Sequence, residues 1–368
     1  MTYPELSPAA LLADPTAARH SEEPWHVRWD DAGETGGSAE DVRNVLPETV
    51  DLRTSGTTGT GQTWRRTREQ MWAEAGLLAD LLRPGEPQAV LSFAPPRHLF
   101  GALATVLAPA KLGVRTWYRP RFFGTMPPPE QANWAVIAVP WTFAILRRNH
   151  AWVRAVRRLT ILHSTASLPA PAAELRAAVG ADRLRIVEVF GSTEAGGIAT
   201  RTWTGDDGPW ELFPDVAFAA PQRPGGGEVP LEVSSPRLAF RAGGRPPAMW
   251  RTDDFVEPVD ARRFRFTGRR GRLVKINGRR VNLDGLEEGL RSAVPCADLA
   301  VLPVPDELSG EHLDLLVVPA RDAGTALTEG AVRIAAAQFD IRPRKVRLID
   351  RIDRSETGKL RLHQGDLS

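Results

Sequence analysis

Apolar positions fall into two textures along this chain. Between about residue 67 and residue 190 they form short unbroken runs separated by segments of helical spacing. A helix is expected from about Thr67 to Leu82, with Leu77, Leu78, Leu81 and Leu82 on one face and Pro84 and Gly85 ending it. The runs AVLSF (Ala89–Phe93), WAVIAV (Trp134–Val139), LTILHS (Leu159–Ser164) and LRIVEVF (Leu184–Phe190) read as strands buried on both faces. Helical segments, Gly101–Leu112, Trp141–Arg148 and Ala170–Val179, lie between them. Also read as a strand is TVDLR (Thr49–Arg53), whereas residues 1–45 show weak periodicity and suggest short helices and loops. Alternation of apolar strands and helices predicts the α/β class with a mainly parallel sheet.

After Gly196 the texture changes. Gly225–Gly227, Leu231–Val233, Trp250 and Phe264–Phe266 suggest short antiparallel strands with tight turns. From Gly268 a second unit is expected, with strands near Leu273–Ile276, Ala297–Pro303, Leu313–Pro319 and Val346–Ile349. Its helices are expected near Leu283–Val294 and Thr328–Phe339. The expected organisation is a large α/β domain over 1–267 and a small α+β domain over 268–368.

Composition narrows the function classes. The 368 residues are 42% apolar and 25% charged, as in soluble globular proteins, and the length favours two domains. Lys and Arg number 47 against 45 Asp and Glu, so charge offers no argument for nucleic-acid or membrane binding. Cys296 is the only cysteine, which excludes an internal disulfide and fits a reducing cytoplasm. The first twenty residues lack the pattern of a secretory signal. The most apolar run, Trp134 to Leu146, is interrupted by Pro140 and too short to span a bilayer.

The strongest local signal is Thr54-Ser55-Gly56-Thr57-Thr58-Gly59-Thr60-Gly61-Gln62, which follows a strand. Glycines let backbone N–H groups curl inward and hydroxyls add donors, which together can cradle phosphate oxygens. A Ser/Thr/Gly surface loop is the plainer reading of the same stretch. Gly56 to Thr63 also fits a Walker loop, except that Gln62 stands where the lysine should be, which ranks that reading lower.

The segment Thr54–Gly59 resembles the phosphate loop of the acyl-adenylate-forming superfamily, which includes acyl- and aryl-CoA ligases. The order of later motifs extends the resemblance to the C-terminus. Pro96–Gly101 resembles P-x-x-H-x-x-G, whose histidine, here His98, borders the acyl pocket. Ser164–Pro169 is similar to the segment along the adenine. Phe190-Gly191-Ser192-Thr193-Glu194 resembles Y-G-x-T-E. There the ring stacks on adenine, the threonine contacts phosphate and the glutamate helps hold magnesium. Trp250–Asp254 resembles Y-R-T-G-D, making Asp254 the ribose carboxylate and placing Asp253 where glycine is usual. Gly268–Lys275 is similar to G-R-x-D-x-x-I-K, with Arg269 matching the arginine on ribose and phosphate and Gly271 at the hinge. The stretch Gly278–Leu283 with Glu287 resembles G-x-R-I-x-x-x-E-x-E. Ser355–Arg361 resembles T-x-[ST]-G-K-x-R, with Lys359 matching the catalytic lysine.

The resemblance implies ATP and Mg2+ as cofactors, and activation of a carboxylic acid as acyl-AMP followed by transfer to a thiol of CoA or an acyl carrier protein. It makes 268–368 a C-terminal lid that brings Lys359 to the α-phosphate. The phosphate loop opens at Thr54, where relatives have well over a hundred preceding residues, so a reduced N-terminal subdomain is expected. Val139-Pro140-Trp141 resembles the V-P-T strand end lining the acyl pocket. With His98 and Phe100, Trp141 favours a small aromatic or short acid, although core packing accounts for Trp141 as well. The competing class is a non-catalytic nucleotide-binding module of the same fold, for which Gln62, Asp253 and Gly271 argue.

Overall fold

The computed structural model describes residues 3–29, 39–53, 62–164, 168, 171–220, 227–269, 272–276, 279–306, 310–320, 328–339, 341–354 and 360. Two compact units divide the chain. The first comprises Met1–Gln222, Glu232–Trp250 and Asp260–Arg263; the second comprises Arg223–Leu231, Arg251–Val259 and Phe264–Ser368.

The strands of the first unit are β1 (Trp25–Val27), β2 (Thr49–Arg53), β3 (Thr63–Thr67), β4 (Ala89–Ser92), β5 (Arg115–Tyr118), β6 (Asn133–Ala138), β7 (Arg158–His163), β8 (Leu184–Ser192), β9 (Gly196–Trp203), β10 (Trp210–Leu212) and β11 (Ala217–Phe218). The sheet order is β1-β5-β4-β6-β7-β8-β9-β10. From β5 to β8 the pairings are parallel, whereas β1, β9 and β10 join antiparallel. β4 and β6 are buried at every position, as strands covered on both faces must be. The expected α/β class and mainly parallel sheet are therefore present. β2 and β3 form a separate antiparallel pair. β11 pairs with the next strand, β12 (Val229–Ser234), through Ala217–Ser234 and Phe218–Val233.

Local differences from the expectation have physical causes. The helix Arg68–Leu82 starts on a capping box: Thr67 Oγ1 accepts the Gln70 N–H, and the Gln70 side chain accepts the Thr67 N–H. Its buried stripe is Gln70, Met71, Glu74, Ala75, Leu78, Ala79 and Leu82; Leu77 and Leu81 are half-buried. The stripe is shifted because a charged group, Glu74, is satisfied inside. The expected helix Gly101–Leu112 is helical from Leu99 but passes through a π-helical stretch, Ala102–Leu107. Pro109 follows that stretch and has no N–H for the carbonyl one turn back; separately, the Thr105 hydroxyl donates to the Ala94 carbonyl at 2.9 Å.

The weakly periodic N-terminal stretch contains edge strand β1 as well as short helices. Its Trp25 and Trp29 indoles are buried, donating to the His20 carbonyl at 2.8 Å and to Thr116 Oγ1 at 3.2 Å. Three-residue β1 is too short for an alternation to register in the sequence.

In the second unit, β13 (Trp250–Pro258) and β14 (Arg263–Arg269) pair antiparallel from Asp254–Arg269 to Pro258–Phe264. β15 (Leu273–Ile276), β16 (Arg279–Asn282), β17 (Cys296–Asp306), β18 (Gly310–Pro319) and β19 (Lys345–Leu348) form another sheet in the order β16-β15-β18-β17, with β19 parallel to β18. Helices Leu283–Ala293 and Glu329–Ala337 bury Leu283, Leu286, Leu290, Val332 and Ala336 against Leu299, Val301, Leu315 and Val317. Intervening Ala300, Leu302 and Leu316 face the other side with Ile352, which is the two-residue alternation of a strand. Among the described residues no helix is long and apolar enough to cross a membrane.

Candidate active site

In an open parallel sheet, ligands bind beyond the carboxyl ends of the strands, where loops converge without blocking the ladder. The sequence-selected residues of the first unit lie at those ends. His98 and Phe100 follow β4, Trp141 follows β6, Ser164 follows β7, and Phe190, Gly191 and Ser192 end β8. All of these side-chain positions are half-buried. His98 has extended backbone and starts the helical turn Leu99–Gly101, its carbonyl accepting the Ala102 N–H at 2.8 Å. The Trp141 ring stands edge-on to Phe93 at 5.4 Å and 6.0 Å from Phe122. Phe190 lies 5.4 Å from Trp210, and the Arg201 guanidinium lies over the Trp210 ring at 4.4 Å.

The end of β5 holds a residue that sequence reading passed over. Arg119 is 2% exposed, its Nη2 donating to the Phe122 and Gly124 carbonyls at 2.9 Å each and its Nη1 reaching Met126 Sδ at 3.1 Å. Burial lowers its pKa. The guanidinium shapes the loop that carries Phe122 to Trp141. An arginine directly after the aromatic pair Trp117-Tyr118 was the available signal.

The turn Thr193–Ala195 joins β8 to β9, and Thr193 and Glu194 are half-buried on it. A bulge after Phe190 brings Gly191 opposite Gly197 and Ser192 opposite Gly196. Side chains would not fit here: a Cβ on Gly191 would lie 2.2 Å from the Gly196 carbonyl oxygen. Gly196 adopts φ +78°, and a Cβ there would meet a Glu74 carboxylate oxygen at 2.6 Å. Ser192 Oγ accepts the Ala195 N–H at 3.2 Å, and the Glu194 carbonyl accepts the Ala239 N–H at 2.8 Å.

Beneath this turn is a buried ionic cluster that sequence reading did not find. One Glu74 oxygen accepts the Gly197 N–H at 2.6 Å; the other accepts from Arg66 at 2.8 Å and pairs with Arg237 at 3.0 Å. Arg237 also donates to the Gly197 carbonyl at 2.8 Å and forks onto Asp215 at 2.6 and 2.9 Å. Arg66 donates to the Thr193 carbonyl at 3.3 Å. Burial alone would raise the Glu74 pKa, but the charges of Arg237 and Arg66 outweigh it and hold the carboxyl below its ordinary value.

In the second unit, Asp254 is 4% exposed and faces Arg269 across the β13–β14 pair, with Arg269 Nε donating to Oδ1 at 2.6 Å. Its N–H donates to Thr252 Oγ1 at 3.1 Å, and that hydroxyl donates to the Leu231 carbonyl at 3.2 Å. Burial raises the Asp254 pKa and Arg269 only partly opposes the rise. Asp253 is exposed on the opposite face of the strand.

Thr54, Ser55, Gly56, Thr57, Thr58, Gly59 and Lys359 lie outside the described residues. Their flanks are described. Arg53 pairs with Thr63 at the open end of the β2–β3 pair. Gln62 accepts a hydrogen bond from Arg241, whose guanidinium covers the Trp64 ring at 3.8 Å. Arg354 and Leu360 bridge antiparallel across 355–359, and Asp298 grips Arg354 at 2.7 and 2.9 Å. Among the described residues no three His, Cys, Asp or Glu side chains gather as a metal cage. A magnesium ion bound mainly through substrate phosphates needs only one or two carboxylates, which half-buried Glu194 fits.

No protein-family model matches the chain. It is 27% identical over 319 residues to a 4-coumarate–CoA ligase of Rhodobacter capsulatus, covering 84% of this chain and 74% of that protein. A 4-coumarate–CoA ligase of Halorhodospira halophila is 28% identical over 296 residues, covering 78% and 68%. The ATP-bound crystal structure of MatB from Rhodopseudomonas palustris superposes with a TM-score of 0.67 at 19% identity, covering 84% of this chain and 66% of that one. The chain thus spans about two thirds of the length of that structure and shares its fold.

Proposed function

We propose that this chain, a member of the AMP-forming acyl-CoA ligase superfamily, activates a small carboxylic acid with ATP as its acyl-AMP and transfers the acyl group to the thiol of CoA. The observation that carries this reading is that His98, Trp141, Ser164 and Phe190–Glu194 follow or end the neighbouring parallel strands β4, β6, β7 and β8 on their carboxyl side. Relatives named as CoA ligases favour CoA over a carrier protein as acceptor.

In this reading residues 1–267 are the adenylating core and 268–368 the lid. Adenylation brings two anions together, so charge must be screened and geometry imposed. Thr54–Gly59 would hold the β- and γ-phosphates, and Phe190 would stack on adenine beside Ser164. Thr193 would contact phosphate, with Gly191 and Ser192 letting the backbone approach. Asp254 would accept from the ribose hydroxyls, and Arg269, already paired to it, would reach ribose and phosphate. Glu194 would hold magnesium, which neutralises phosphate charge when bound. Lys359 would stabilise charge developing at the α-phosphate. Trp141, Phe122 and Phe93 make an aromatic wall that favours a small aromatic acid over a long chain.

A pyrophosphate-release screen with magnesium and ATP over aromatic, short and fatty acids tests the reading, followed by transfer to CoA and to a carrier protein. Release should depend on an acid and be fastest with small aromatic acids. Nucleotide binding without acid-dependent release would overturn it in favour of a non-catalytic module. Lys359→Ala should lower acyl-AMP formation by about 1,000-fold or more while sparing thiol transfer from supplied acyl-AMP. Equal damage to both half-reactions removes the assigned role.

A further inference from the structure

The turn that carries Thr193 and Glu194 is held from below at both of its feet. Its leading residue, Thr193, gives its carbonyl to Arg66. At its trailing side, Gly197 gives its N–H to Glu74 and its carbonyl to Arg237. Arg66, Glu74 and Arg237 are 0%, 3% and 1% exposed. Apolar side chains of similar volume could fill such a space at no loss of stability, because a buried ion pair must first offset its own desolvation. What they could not provide is direction. Hydrogen bonds with a charged partner are short, strong and aimed, and here they end on main-chain atoms of the turn.

The cluster also has reach. Arg66 lies on β3, which leads out of residues 54–62, and β3 is tied by Arg65 to the Phe240 backbone in both directions at 2.8 and 3.0 Å. Gln70, on the following helix, donates to the Pro236 and Leu238 carbonyls. The strand that brackets the glycine- and hydroxyl-rich segment and the turn bearing Glu194 are therefore connected through one buried set of charges. The two arginines are balanced by Glu74 and Asp215, so the set as a whole is neutral.

We propose that Glu74, acting with Arg66 and Arg237, is the positioning residue of the Thr193–Glu194 turn and registers it against the strand pair that brackets residues 54–62. For its catalytic consequence this rests on the adenylation reading; the placement of the turn does not.

Two neutral double variants separate direction from packing. Arg66→Met with Glu74→Gln keeps an acceptor for the Gly197 N–H and leaves the Arg237–Asp215 pair. Arg66→Met with Glu74→Leu removes that acceptor as well. Amide hydrogen exchange should leave Gly197 protected within about threefold in the first variant and speed it about 30-fold in the second. Val187 and Val189 amides on β8 serve as the internal control for global stability. Acid-dependent pyrophosphate release should follow the same order, falling about 30-fold further in the second variant while KM for the acid changes less than about threefold. Equal Gly197 exchange in two folded variants overturns the proposal, as does equal turnover of the two variants when the unaltered protein is active. If no acid supports turnover in any form but the exchange split is observed, the positioning stands and the adenylation reading falls. Should the leucine variant fail to fold, Arg66→Met with Glu74→Met is measured in its place with the same expectation.

Discussion

Glu74 in the first unit and Asp254 in the second are both buried carboxylates facing arginine, yet their surroundings shift them in opposite directions. Glu74 spends both oxygens on the protein: one on the Gly197 amide, the other on two guanidinium groups. Asp254 has one arginine among the described residues, Arg269, whose side chain is 42% exposed. Charge decides the difference. Two arginines more than offset burial at Glu74, whereas at Asp254 burial wins and the pKa rises. A saturated carboxylate is part of the frame. An under-compensated one has attraction left for a ligand's hydroxyl groups.

The hardest test of the contrast is Glu74→Ala. It leaves Arg66 without a carboxylate and should lower the unfolding free energy by about 3–5 kcal/mol in urea titration. A loss below about 1 kcal/mol would mean that Glu74 is not saturated at all. Gly196→Ala comes next. Its φ of +78° and a Cβ 2.6 Å from the Glu74 carboxylate should together cost about 3 kcal/mol. The companion change at the other site, Asp254→Asn, should hardly move the melting temperature, because its partner is partly exposed, but should weaken ATP binding about tenfold in calorimetry.

The pH dependence sharpens the same point. With its folded pKa raised, Asp254 takes up a proton on acidification before an ordinary aspartate does. Folded protein then holds a proton that the unfolded chain has released, so this residue does not lower stability in that window. ATP affinity should fall there instead, and Asp254→Asn should remove that dependence. The most gradual effect concerns His163, buried against Phe143 with its pKa pushed down to about 3. Unfolded chain protonates this histidine below about pH 6.5, so stability should be lost as pH falls through that value, at up to about 1.4 kcal/mol per unit. His163→Phe should flatten the slope; an unchanged slope would show that the imidazole does not titrate this way.

The contrast also marks what could be read from the chain alone. Unbroken apolar runs declared β4, β6, β7 and β8 because a doubly covered strand has no polar alternation to confuse. Strand and helix spacing in 273–349 was legible for the same reason of repetition. Residues such as Phe190, Glu194 and Asp254 stood out only because their segments resemble ordered family motifs; taken alone, each segment reads as an ordinary strand-end turn. β1 and β16 were not legible: β1 has only three residues, and Arg279–Asn282 offers a single apolar side chain, Val281, among polar neighbours.

Sequence by itself thus determined which strands are buried, their alternation with helices and the residue types at their ends, because these depend on neighbours within about ten positions. Only the tertiary structure decided that Arg66, Glu74, Asp215 and Arg237 are one cluster, that Leu77 and Leu81 leave the buried stripe, and that Asp254 rather than Asp253 is enclosed. Those outcomes depend on which groups meet after the chain has folded: Arg237, more than a hundred positions away, joins Glu74 only through the tertiary fold, and such a pairing leaves no local pattern.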